Sequence, residues 1–264
     1  MRFDGKVALI TGSSRGIGRA LAVTLARGGA TLIIHYKQNE TAAREAVAAV
    51  EAAGGQAWAV SGDLEDTAAI ESIFTAVRAR HDHLDIFVAN AAASAFKPFL
   101  ALRPHHLERT FNLNVRAFVL CAQQAAAMMA AGGRILALSS YGSIRAFPTY
   151  ANLGASKAAV EAWVRFMAEE LGPRDINVNA INAGFVETDS LHYFYSQPGA
   201  PSLETILSRL PKRRAASAQE VANAGAFLLS DEASYITGTT LMVDGGLSVV
   251  APPFAAEWGQ GSGA

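Results

Sequence analysis

Short apolar runs rich in Val, Ile and Leu recur along the whole chain: VALIT (7–11), TLIIHY (31–36), AWAVSG (57–62), LDIFVAN (84–90), RILALSS (134–140), INVNAIN (176–182) and TLMVDG (240–245). Between them lie alanine-rich segments with helical spacing, such as 17–27, 40–53 and 67–80. A strand buried on both faces reads as a continuous apolar run, and strands that alternate with helices imply right-handed crossovers in a parallel sheet. The pattern predicts one α/β domain with a doubly wound parallel sheet over residues 1–250. No internal repeat or interdomain linker divides it. Two stretches break the rhythm. Residues 187–214 are long for a connection in a compact domain and are expected to form a substrate lid. Residues 251–264 read as a frayed tail whose Phe254 and Trp258 could dock on a neighbour.

At 264 residues and 51% hydrophobic content the chain has ample material for a sizeable core. Twenty-two Lys and Arg against 23 Asp and Glu give a net charge of −1, with no block of like charges. That leaves no electrostatic footprint for nucleic acid or an anionic membrane, so a small molecule is the expected partner. The apolar run near the N-terminus is too short for a signal sequence or a membrane span, and a cytoplasmic protein is expected. Cys121, the single cysteine, sits in an apolar helical run and is read as a buried core thiol. The six histidines show no metal-ligand spacing, and the adjacent His105 and His106 are expected to point different ways on a helix, so no metal is indicated.

TGSSRGIG (11–18) follows the first strand and opens the first helix. Gly12 permits the tight turn, Gly16 lets backbone approach a pyrophosphate, and Gly18 lets the helix pack closely on the strand. The helix N-terminus offers unpaired N–H groups. The spacing G-x3-G-x-G resembles that of the short-chain dehydrogenase/reductase family, which has a Rossmann-like fold. Further pieces fall in that family's order, from residue 5 to about 248. Asp63 resembles the residue that holds the adenine, Asn90 the asparagine of an N-A-G turn, and Thr188 the threonine that bonds the nicotinamide carboxamide. The resemblance also places Ser14, Ile17, Leu64, Ala91, Gly184 and Val186 along the cofactor, and ITGTTLMVDGG resembles the closing segment of members that form homotetramers. Tyr36 stands where NAD-dependent relatives keep an acid. With Lys37 after it and Arg15 on the glycine turn, two cations are expected to meet a 2′-phosphate, and NADPH is the expected cofactor.

In most of that family a tyrosine and a lysine at Y-x3-K share a helix face, and the cation lowers the phenol's pKa for acid–base work. Here Lys157 is present but Leu153 holds the tyrosine's place. Tyr150 lies seven residues before the lysine, on the same face but about 10 Å away along the axis if both are helical. That separation suits a different acceptor. In a ketone the carbon that takes hydride bears the oxygen, whereas in an enoyl thioester hydride goes to the β carbon and charge appears on an oxygen two carbons away. PTYANLGASKAAVEAWVRFMAEELGP resembles the Y-x6-K helix of the enoyl-[acyl-carrier-protein] reductases, and N-A-A (90–92) and Ala183-Gly184 agree with it. SSYGSIRAF and ETDSLHYF resemble the enoyl reductase III branch.

The resemblance implies reduction of an enoyl thioester on coenzyme A or acyl carrier protein. Tyr150 would be the oxyanion donor and Lys157 would hold the ribose. Ser140 would assist at the carbonyl, and Asn114 would hold a relay water or simply bond a carbonyl in a kinked helix. A 3-ketoacyl or other carbonyl reductase, and a non-catalytic NADPH sensor, stay open. Gly154 inside the helix is expected to admit substrate or cofactor. Lys212, Arg213 and Arg214 could meet an acidic carrier or a phosphate.

Overall fold

A computed structural model describes residues 1–197 and 202–250. The apolar runs become seven strands, all parallel: β1 (Val7–Ile10), β2 (Thr31–Tyr36), β3 (Gln56–Ser61), β4 (Ile86–Ala89), β5 (Arg134–Ser140), β6 (Asn177–Ala183) and β7 (Thr240–Val243). They form one sheet in the order β3-β2-β1-β4-β5-β6-β7. The helices are α1 (Gly16–Arg27), α2 (Glu40–Ala52), α3 (Thr67–Arg78), α4 (Pro104–Phe111), α5 (Ala117–Met128), α6 (Ala151–Leu171), α7 (Asp189–Tyr195), α8 (Leu203–Ser208) and α9 (Ala218–Leu229).

Alternate strand residues explain the unbroken apolar runs. Leu9, Ile33, Phe87 and Ile135 enter one core layer with α3, α5 and α6; Ile10, Ile34, Val88 and Leu136 enter the other with α1, α2 and α9. Both faces of the central strands are therefore dry. The chain leaves β1 for β2 and β3 on one side, then returns to place β4 on the other side of β1. This reversal opens a crevice at the carboxyl ends of β1 and β4, where ligands bind in open α/β sheets.

Several helix starts are capped by side chains. Asn39, Asp66 and Ser217 accept backbone N–H groups at the starts of α2, α3 and α9. At α1 the N-cap is Arg15, with no side-chain cap and no acid in the first turn, so its positive end is left for an anion.

Two expectations change. Residues 187–214 hold two short helices, α7 and α8, because Thr188 and Ser202 cap them; residues 198–201, like the 251–264 tail with Phe254 and Trp258, lie outside the described residues. The His105 and His106 rings do not diverge but stand 4.0 Å apart between centroids. His106 turns back so that its Nδ1 accepts the Arg103 N–H at 3.0 Å. Among the described residues no group of three or more His, Cys, Asp or Glu gathers to hold a metal, and no helix is long and apolar enough to cross a membrane.

Phe87 is fully buried at the middle of the sheet, with its ring centroid 6.4 Å from that of Phe74 on α3. Phe87→Ala is expected to lower unfolding free energy by about 3–5 kcal/mol, read from urea titrations.

Candidate active site

Gly12 and Gly16 both have left-handed backbone, at φ +61° and +58°. A Cβ on Gly12 would lie 3.0 Å from Ala91 Cα, and one on Gly18 would lie 2.6 Å from the Asn90 amide nitrogen. Gly12 and Gly18 thus let the turn lie against the end of β4. Asn90 fastens it there, donating from Nδ2 to the carbonyls of Thr11 and Gly12, both at 2.9 Å. Gly16 faces open space except for Thr188 Cγ2 at 3.8 Å, which brings Thr188 to the mouth of the same turn. Ser14 and Ile17 lie in the turn and at the start of α1. These features fit a dinucleotide pyrophosphate at the α1 N-terminus.

His35 also holds this turn, and the sequence reading passed over it. Its Nδ1 accepts the Gly12 N–H at 3.0 Å, so Nε2 carries the proton and donates to the Gly62 carbonyl at 3.1 Å. Burial, opposed by the Gly62 bond and by Asp63, lowers its pKa to about 4. The available signal was a single polar ring inside the otherwise apolar run TLIIHY.

The two cations expected at the 2′-phosphate already have carboxylate partners. Lys37 Nζ lies 2.7 Å from Asp63 and 3.1 Å from Glu65, and Arg15 lies 2.9 Å from Asp189 at the start of α7. Asp63 is therefore engaged with Lys37. Its neighbour Leu64 is buried in the core, which leaves only Leu64 backbone to face a ligand. Tyr36 stands half-buried at the end of β2.

At the reacting end Tyr150 is the N-cap of α6 rather than part of it. Its hydroxyl points inward and donates to Ser140 Oγ, at the end of β5, at 3.2 Å. Burial, opposed by that bond, pushes the phenol above its ordinary pKa, which keeps it protonated and able to donate near neutrality. Two backbone features seat the ring. Thr149 has φ +65°, a strained value for a β-branched residue. Gly142 is the other: a Cβ there would lie 2.3 Å from Tyr150 Cε1.

Gly154 corrects an expectation. The space a Cβ would take is filled not by a ligand but by the Gly142 carbonyl, 2.5 Å away. Gly154 therefore lets the turn after β5 rest on α6, and Gly142 gives the Tyr150 ring its room.

Lys157 is buried and turned toward the sheet, its Nζ donating to the Leu138 carbonyl at 2.5 Å. Burial, opposed by Glu161, lowers its pKa to about 8. It shares a cavity of about 10 Å³ with Thr11, Ala91 and Asn114, room for about one water. Asn114 lies in a π-helical turn, residues 112–116, and bridges both backbone groups of Ala93: Nδ2 donates to the carbonyl at 2.9 Å and Oδ1 accepts the N–H at 3.3 Å. This is the carbonyl-bonding role in a kinked helix, at the rim of the lysine cavity.

Val186 is buried and bridges to Ala216, while Gly184 is dictated by Asp244, whose Cα would stand 2.8 Å from a Cβ. Thr188 caps α7. Of the basic trio, Arg214 is committed to a bidentate pair with Glu220. A wall of rings surrounds Tyr150: Phe96 stacks at 5.5 Å and Phe194 of α7 meets it edge-on at 5.4 Å. Phe147 adds a third contact at 5.8 Å.

The family described as enoyl-(acyl carrier protein) reductase matches residues 12–248. The chain belongs to that family of short-chain dehydrogenases/reductases. It is 56% identical over 255 residues to the 1-cyclohexenylcarbonyl-CoA reductase of Streptomyces collinus, covering 97% of this chain and 91% of that one. It is 35% identical to a hydroxynaphthalene reductase-like protein of Metarhizium brunneum, over 92% and 94% of the two chains. A short-chain dehydrogenase of Burkholderia cenocepacia solved with NADP superposes with a TM-score of 0.86 at 35% identity, over 93% of this chain and 98% of that one. The angucycline C-6 ketoreductase LanV with bound NADP gives 0.88 at 31% identity, over 94% and 98%.

Because His35 is neutral in the fold down to about pH 4 but titrates near 6.5 when unfolded, its contribution to stability is present above pH 6.5 and is lost as pH falls toward 4. The urea midpoint should drop across that window, and should drop less in His35→Gln. Gly142→Ala should lower kcat at least about tenfold by displacing the Tyr150 ring, with the dissociation constant for dinucleotide, read by fluorescence, little changed.

Proposed function

We propose that the protein reduces the α,β double bond of an enoyl thioester with NADPH. The observation that carries this reading is the Tyr150 hydroxyl, protonated and aimed at Ser140 from a position one turn before the place that Leu153 occupies. A phenol that stays neutral is suited to donate a hydrogen bond to an oxygen on which negative charge develops.

Gly12, Ser14, Gly16, Ile17 and Gly18 would hold the pyrophosphate. Asn90, Ala91, Gly184, Val186 and Thr188 would line the nicotinamide side, and Asp63 and Leu64 the adenine side. With Tyr36 in place of an acid, the 2′-phosphate would draw on Lys37 and Arg15. When bound, the reduced dinucleotide supplies hydride to the β carbon. Tyr150 would donate to the thioester oxygen and stabilise the enolate, whose α carbon then takes a proton from water to complete the saturated thioester, and Ser140 would orient the same carbonyl. Lys157 holds the ribose after leaving the Leu138 carbonyl, and Asn114 keeps the adjoining cavity polar.

The 56% identical relative is named for a coenzyme A thioester with a ring in its acyl part. Phe96, Phe147 and Phe194 around Tyr150 form an apolar wall of the kind such an acyl group needs. Coenzyme A is therefore favoured over acyl carrier protein as the handle. With residues 187–214 as lid, α7 would close over the acyl group and exclude water. A homotetramer fits the apolar side chains exposed on α4 and α6, among them Leu107, Trp163 and Phe166.

The test mixes the protein with NADPH and 1-cyclohexenylcarbonyl-CoA, crotonyl-CoA or acetoacetyl-CoA, and follows loss of reduced-nicotinamide absorbance. Turnover is expected with the enoyl esters, and Tyr150→Phe should reduce kcat by about 10²-fold or more. Turnover with acetoacetyl-CoA alone would make the protein a carbonyl reductase instead.

A further inference from the structure

Glu161 takes no part in the scheme above, yet it is a carboxylate only 8% exposed, one helical turn beyond Lys157 on α6. A charge so placed is tolerable only if it is well hydrogen-bonded. Its Oε1 accepts three bonds: from Ser139 Oγ at 2.5 Å, Ser143 Oγ at 2.7 Å and Asn182 Nδ2 at 2.9 Å. Asn182 Nδ2 also donates to Ser143 Oγ at 2.9 Å. One carboxylate oxygen thus ties α6 to the end of β5, to the turn that follows it and to β6.

What lies between those anchor points is the reacting end of the site. Ser139 and Ser143 bracket Ser140, which accepts the Tyr150 hydroxyl, and Gly142, on which the Tyr150 ring sits. The turn has backbone contact with α6 at its middle, through the Gly142 carbonyl. The bonds to Glu161 hold its two ends, Ser139 and Ser143.

We propose that Glu161 is a positioning residue for the reduction: by holding both ends of the 139–143 turn against α6, it sets where the Ser140 and Tyr150 hydroxyls stand. This rests on the reading of Tyr150 as the oxyanion donor. Glu161 touches neither hydroxyl and acts only through the turn. Replacing the carboxylate by an amide of the same shape keeps one oxygen as acceptor but removes its charge and sets an NH₂ group beside it, so three charge-assisted bonds weaken to neutral ones and the clamp loosens.

The experiment is a double-mutant cycle between Glu161→Gln and Tyr150→Phe, with kcat measured on an enoyl-CoA at saturating NADPH. Glu161→Gln is expected to lower kcat about tenfold while KM for NADPH stays within about twofold. In the Tyr150→Phe background the same substitution should change the residual rate by less than about twofold, because the hydroxyl it positions is gone. A loss of about tenfold in both backgrounds, or wild-type kcat in Glu161→Gln, would overturn the proposal while leaving the Tyr150 reading intact. Undiminished kcat in Tyr150→Phe alone would overturn that reading and the proposal with it. If Glu161→Gln does not fold, Ser143→Ala removes one arm of the clamp and runs through the same cycle, with a smaller loss of about threefold expected and full additivity again counting against the proposal.

Discussion

The turn after β5 lies directly on α6, with the Gly142 carbonyl where a side chain of Gly154 would stand. This contact is possible only because Gly154 lacks a Cβ, while the missing Cβ of Gly142 leaves room for the Tyr150 ring, and the reacting end is built on this arrangement. It lets the Tyr150 ring settle on Gly142 and its hydroxyl reach Ser140. It also places the tyrosine at the threshold of the helix, preceded by a strained Thr149, rather than inside it. A threonine in left-handed backbone is unfavourable by about 1–3 kcal/mol and persists only where its surroundings over-determine it. Here those surroundings include the Lys97 N–H, which donates to the Thr149 carbonyl at 3.1 Å.

The electrostatics follow from burial. The phenol is pushed up and kept neutral, and the Lys157 ammonium is pushed down and turned to the Leu138 carbonyl. In a site designed to deprotonate the tyrosine, the cation would be set to lower the phenol's pKa. In this one burial raises the phenol's pKa against the opposing serine bond, and the hydroxyl stays a donor. That division of labour agrees with an acceptor whose charge develops away from the carbon that takes hydride. At the nucleotide end, Lys37 and Arg15 are each held by carboxylates, Arg15 by one on α7. A phosphate arriving there would compete for both cations.

Much was readable from the residue order. Continuous apolar runs separated by amphipathic alanine-rich segments leave a parallel sheet covered on both faces as the arrangement that buries them. The glycine turn was legible because φ above zero and close backbone approach are local demands that few residues other than glycine meet. The seven-residue spacing of Tyr150 and Lys157 was legible too, though Tyr150 proves to be the N-cap of α6 rather than part of it. These are properties of neighbours along the chain, and they suffice for the fold class and for the presence of a dinucleotide crevice.

Other features arise only when distant segments meet. His35 becomes a prop for the glycine turn because β2 runs beside β1, and Arg15 finds Asp189 across 174 positions of sequence. Gly154 read as an opening for a ligand and proved to be a seat for the Gly142 carbonyl. Nothing in the linear order singles out Glu161, and only the meeting of α6 with β5, its following turn and β6 brings two serines and an asparagine onto one of its oxygens. Periodicity states which face of an element is apolar. Which polar group stands opposite another is settled by strand order and loop path, since a hydrogen bond is specified by position to a fraction of an ångström and the linear pattern carries no such distance.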